Sequence, residues 1–142
     1  MQVLMKEEGI RSIRIISNIG SRVPVNWAAA GRLLVSDMSD EDLTRLLERT
    51  MRPSPTGRAS MDVATVIEQV RTFRKLGYAV ESNQANDHAG CVAAPVIDKR
   101  GLCVAAISVA VPEHRLEEPD RSELINAVKA AAERLSRRLS GH

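Results

Sequence analysis

The chain has 142 residues, 44% hydrophobic and 27% charged, and a net charge of +2, which fits one globular domain around one core. Its aromatics, Trp27, Phe73 and Tyr78, make up 2%, too few for the stacking platforms of single-strand and RNA binders. Two cysteines cannot build a disulfide framework or a structural zinc site, no apolar run approaches a membrane span, and the first residues lack a signal-peptide core, so a reducing cytoplasm is the expected location.

In chain order, Val3–Lys6 and Ser12–Ser17 read as short strands turning at Glu8-Gly9. Asn26–Val35 reads as a helix capped by Asn26, with little side-chain bulk at Ala28-Ala29-Ala30-Gly31. A second helix opens at Ser39-Asp40-Glu41-Asp42, with acids in its first turn, and runs to about Arg49. Thr50–Arg58 carries Pro53, Pro55 and Gly57 and is a loop. Ser60 is the expected cap of a third helix, Met61–Leu76, with a stripe of Val63, Val66, Ile67, Val70 and Phe73 and a stop at Gly77. Tyr78–Glu81 is the next strand and Asn83–His88 a polar loop. Cys91–Ile97 and Leu102–Val111 form an apolar hairpin, and Pro119 starts a last helix that reaches about Leu139. The cations Arg134, Arg137 and Arg138 read as a solvated helix end complementing the dipole. The pattern predicts an α+β domain, an antiparallel sheet with helices on it. The hairpin is apolar on both sides, so both of its faces should be covered.

A turn over Asp98–Gly101 places Ile97 opposite Leu102, Pro95 opposite Val104, Ala93 opposite Ala106 and Cys91 opposite Ser108. Facing residues share one side of a sheet. A thiol and a hydroxyl then meet among small apolar walls, which suits a small-ligand pocket. The same register sends Cys103 to the other face, beside Val96, and excludes a Cys91–Cys103 disulfide. A cysteine that acts as a small core hydrophobe, and a serine satisfied by local backbone, remain the competing readings. Ala29 and Ala30 fall within the first turn of the expected helix, where free backbone N–H groups can receive a carboxylate. Tight helix–sheet packing would use the same small residues.

Gly20-Ser21-Arg22-Val23-Pro24-Val25-Asn26-Trp27-Ala28-Ala29-Ala30-Gly31-Arg32-Leu33-Leu34 resembles the G-x-x-x-P-x-x-x-[ST]-A-x-G-[KR]-x-x-L segment of IclR-type (isocitrate lyase regulator) effector domains. Further similarities follow in order: Thr50 and Thr56, then Arg71–Tyr78 with Arg74, Lys75 and Gly77-Tyr78. Ala93-Ala94-Pro95-Val96-Ile97-Asp98 with Gly101, and Ala105–Val109 with Pro112, complete the set. The resemblance runs from roughly Ile13 to Leu139. It implies a GAF-like antiparallel sheet flanked by helices, without catalytic residues, cofactor or metal. The implied ligand is a small organic acid: a keto acid, a sugar-derived acid or an aromatic carboxylate. The implied site comprises Ala29, Ala30, Glu81, Cys91 and Ser108. Dimers or tetramers are implied, with DNA bound only through a winged helix-turn-helix that nothing before Gly20 resembles. Residues 1–142 are then one effector-binding domain, cut short at its N-terminal edge.

Asn26 and Trp27 depart from the family pattern, Glu81 is longer than its common aspartate, and Ala110 replaces a second serine. An ionised Glu81 would repel an anionic ligand. It could instead accept a ligand hydroxyl, bind protonated, hold a metal, or be an exposed strand charge. Two other functions compete: a ligand-free oligomerisation module, and a thiol or metal enzyme built on Asp87, His88 and Cys91.

Overall fold

The computed structural model describes residues 1–7 and 18–141. It contains α1 (Ala29–Leu34), α2 (Asp40–Thr50), α3 (Val63–Leu76), β1 (Ala79–Ser82), β2 (Ala89–Ile97), β3 (Cys103–Pro112), a 3-10 turn (Glu113–Leu116) and α4 (Asp120–Leu139). The strands form an antiparallel sheet in the order β1-β2-β3.

Capping chemistry sets the helix starts. The Ser39 hydroxyl accepts the Asp42 N–H at 3.2 Å before α2, and three acids fill the first turn, where the helix dipole favours negative charge. Asp62 rather than Ser60 caps α3, its carboxylate accepting the Thr65 N–H at 3.0 Å. The Ser60 hydroxyl instead accepts the Asp62 N–H. Gly77 ends α3 at φ +75°, a conformation that suits a residue without Cβ.

α1 begins at Ala29, not at Asn26. The Asn26 side chain is not a cap: it is buried, and its Nδ2 donates to the carbonyls of Arg52 and Ser60, both at 3.0 Å. The strand expected at Val3–Lys6 is not there; Gln2 makes an isolated bridge to Arg22, and the Val3 N–H donates to Ser21 O at 3.0 Å while its carbonyl accepts the Gly20 N–H at 2.7 Å. Leu4 and Met5 are exposed, so no apolar burial draws the segment into a sheet. The strand expected at Ser12–Ser17 lies outside the described residues.

Both faces of β2 are covered, as expected, but β3 at the sheet edge is not, and leaves Val104, Ser108 and Val109 exposed. On one, Val92, Ala94, Val96 and Val111 pack with Ile125, Val128 and Ala132 of α4. On the other, Ala79 and Ala93 pack with Ala29, Ala30 and Leu33 of α1. A separate cluster joins α2 and α3 through Leu43, Leu47, Val66 and Val70. Gly90 sits under Leu116: a Cβ there would lie 2.7 Å from Leu116 Cγ. Gly90→Val should therefore destabilise the fold by about 1–3 kcal/mol through overpacking, read as a lower urea midpoint with unchanged slope.

The hairpin register differs from expectation by two residues. The Asp98 N–H bonds to Leu102 O at 3.0 Å, and Ile97 pairs with Cys103, so the loop takes in Leu102 as well. Val96 pairs with Ala105, which leaves Val104 as an extra residue, a β-bulge. Beyond the bulge, Ala93 pairs with Ser108 and Cys91 with Ala110. The longer loop alone reverses the face of Cys103, which packs on the α1 side rather than the opposite one. Both cysteines are free; six residues of strand, roughly 20 Å at the usual rise, separate their pairing positions.

Candidate effector-binding site

β1 and β2 bring Glu81 directly opposite Cys91. Because the register differs by an even number, Cys91 and Ser108 still share a face, as diagonal rather than facing neighbours. Burial pushes the Cys91 thiol up to about 12; the Glu81 charge adds to this, and hydrogen bonding from Ser108 offsets part of it. Ser108 is exposed and Cys91 half-buried.

α1 lies on the same face, with Ala29 and Ala30 buried against the sheet. Ala28 precedes them in extended conformation, and no side chain caps the helix start. The five expected residues therefore sit on one side of the sheet. The small side chains of Ala29 and Ala30 pack closely with Ala79 and Ala93 of the sheet.

Glu81 is not an exposed strand charge; it is 6% exposed. Its Oε1 accepts the backbone N–H groups of Gln84 at 2.6 Å and Ala85 at 3.2 Å. Burial raises its carboxyl above the usual range, while these two bonds and the Arg32 charge pull it back. Arg32 is 1% exposed. Its Nη2 donates to Asn26 O at 2.7 Å and to Gln84 Oε1 at 2.5 Å. Burial lowers the guanidinium to about 10, opposed by the Glu81 charge.

The sequence reading missed Arg32 and Gln84 as site residues. Gln84 carries a third bond, accepting the Thr56 hydroxyl on its carbonyl at 2.6 Å. It thus joins α1, β1 and the loop before α3. Arg32 stood out only as the basic position of the Gly20–Leu34 motif; charged residues are rarely fully buried, so it reads as surface.

Asp87, His88 and Cys91 are not assembled as a catalytic or metal trio. Asp87 pairs with Arg58 at 2.6 Å, and His88 is exposed with its N–H on Asn83 Oδ1 at 2.6 Å. Among the described residues no group of three or more His, Cys, Asp or Glu is placed to hold a metal. No described helix is long and apolar enough to cross a membrane.

A sheet with helices on both faces does not by itself fix a function; the relatives of this chain make it a regulatory domain of transcription regulators. The family described as "Bacterial transcriptional regulator IclR C-terminal" matches residues 1–137, and the chain belongs to it. The chain is 30% identical over 106 residues to the HTH-type transcriptional repressor AllR of Escherichia coli (strain K12), covering 75% of this chain and 39% of AllR. It is 24% identical over 137 residues to the HTH-type transcriptional regulator KdgR of Dickeya chrysanthemi, covering 96% of this chain and 45% of KdgR. The chain thus spans less than half the length of these curated relatives. The crystal structure of the Thermotoga maritima IclR superposes with a TM-score of 0.84 at 26% identity, covering 94% of this chain and 54% of that one. The C-terminal domain of E. coli KdgR gives 0.76 at 24% identity, covering 85% and 74%.

Proposed function

We propose that this domain senses a small organic acid, of the keto, sugar-derived or aromatic carboxylate class, and that Ala29, Ala30, Glu81, Cys91 and Ser108 frame its site. The observation that carries the reading is the grouping of Glu81, Cys91 and Ser108 on one sheet face, beside the uncapped start of α1. In this reading the α1 amides face the carboxylate. Glu81 and Ser108 handle the hydroxyl or carbonyl end, and Cys91 supplies a neutral, polarisable wall. Signalling requires that the acid bind one conformation of the regulator better than another. The regulator acts in the cytoplasm as a dimer or tetramer and reaches DNA through a winged helix-turn-helix domain outside this sheet.

Trp27 is the only tryptophan. It stands two residues before α1, and its Nε1 donates to Arg52 O at 2.8 Å. Its fluorescence reports on the site without a label. A screen of short keto, sugar-derived and aromatic acids should raise the melting temperature and change this emission; a ligand at a hundred times its Kd stabilises by about 2.7 kcal/mol. Cys91→Ser with Ser108→Ala should remove most of that gain. A full response in the folded double variant would defeat the assignment, and stable oligomers indifferent to every acid would favour the oligomerisation module.

A further inference from the structure

An ionised Glu81 in the wall of an acid-binding site repels its ligand. The charge that answers it is on α1. The Arg32 guanidinium is buried, and Gln84 links it to the carboxylate: the Gln84 side-chain oxygen accepts from Arg32 at 2.5 Å, while the Gln84 backbone N–H donates to Glu81 at 2.6 Å. The second acceptor of Arg32, Asn26 O at 2.7 Å, belongs to the segment that leads into α1. Glu81 faces Arg32 from α1 and the neutral Cys91 thiol from β2. The exposed Arg58–Asp87 pair balances its own charge.

We infer that Arg32 is a specificity-determining residue of this site: its buried guanidinium cancels the charge of Glu81, so that the wall admits a small carboxylate instead of rejecting it. The inference rests on the effector-site reading above. It makes Arg32 a selector for ligand charge that need not touch the ligand. Two opposite charges fixed in a low-dielectric wall act at longer range than they would in water, and Gln84 fixes their spacing. Both acceptors are served by the single nitrogen Nη2, so a lysine ammonium, which keeps the charge and carries three donors, can take over most of the role.

The test compares acids with their neutral amides by calorimetry on the full chain: pyruvate with pyruvamide, gluconate with gluconamide, benzoate with benzamide. Arg32→Gln should weaken the acid that binds by at least tenfold and change its amide by less than threefold. Arg32→Lys should recover most of the acid affinity. Glu81→Gln, a near-isosteric change, should tighten binding of the acid, and combining it with Arg32→Gln should bring the acid back to within a few fold of wild type. Equal loss for acid and amide, or no change for either, would mean that Arg32 only supports the fold, and the inference would be wrong while the site stands. If the wild-type protein takes none of the three acids, the effector-site reading fails. Arg32 is then judged by carbon-13 NMR of the Glu81 carboxyl, whose titration should move upward in Arg32→Gln. An unmoved titration in that folded variant overturns the counter-charge role.

Discussion

At pH 8, Cys91 in the folded chain should be alkylated by iodoacetamide far more slowly than a free thiol. Its thiol stands at about 12, which lowers the thiolate population by about three orders of magnitude relative to free cysteine. Burial is the first cause and the neighbouring Glu81 charge the second. Cys103 stands at about 11, through burial and then the charge of Asp37, and should be slower than a free thiol by about two orders of magnitude. A nucleophilic cysteine needs the opposite arrangement, a neighbouring cation or base that favours the thiolate. The measurement is mass-resolved alkylation of native and urea-unfolded protein, with Cys91→Ala and Cys103→Ala as site controls. Modification of native Cys91 within tenfold of the unfolded rate would contradict both its burial and the effect of the Glu81 charge on its thiol. The same displacement carries a stability consequence with a definite sign. The folded thiol holds its proton more tightly than the unfolded one. The contribution is intact below the unfolded value of about 8.5 and is lost as pH rises through the folded one.

The parts of the fold legible in the sequence are those set by local chemistry. The acids of α2, the Gly77 stop, the prolines before α3 and Pro119 before α4 all mark boundaries that the structure keeps to within two or three residues. The hairpin was legible in face but not in register. One extra loop residue and one bulged residue sum to two, and two residues restore the alternation. Cys91 and Ser108 therefore stay together, while Cys103, between the loop and the bulge, changes side. Neither the loop length nor the bulge at Val104 leaves a distinct mark in an apolar run. Asn26 shows a different failure. Asparagine is a good cap in isolation, but here two distant carbonyls claim its amide, and α1 starts three residues later. Arg32 was visible only as the basic position of a family motif. Its burial depends on Gln84, 52 residues away, and no local pattern reports such a contact.

Ala93→Leu should both destabilise the domain and silence its response to acids. Ala93 is fully buried on β2, paired with Ala79 on one side and Ser108 on the other. Ala29 and Ala30 of α1 pack onto it. Four alanines at this contact let a helix of six residues lie close to the sheet, on the face that carries Glu81 and Cys91. Three added carbons have no void to fill, since interiors are packed to crystal-like density. The expected cost is about 1–3 kcal/mol, with α1 displaced from the sheet. Ala94→Val supplies the control. Ala94 is equally buried but points to the α4 side, so this change should also lower stability yet leave acid binding intact. Thermal melts with and without acid, read through Trp27, separate the two effects. If both variants lost the acid response in proportion to their stability, α1 would be a packing element and not a wall of the site. If only Ala93→Leu lost it, the small side chains would be serving ligand access as well as packing, two roles that composition alone cannot tell apart.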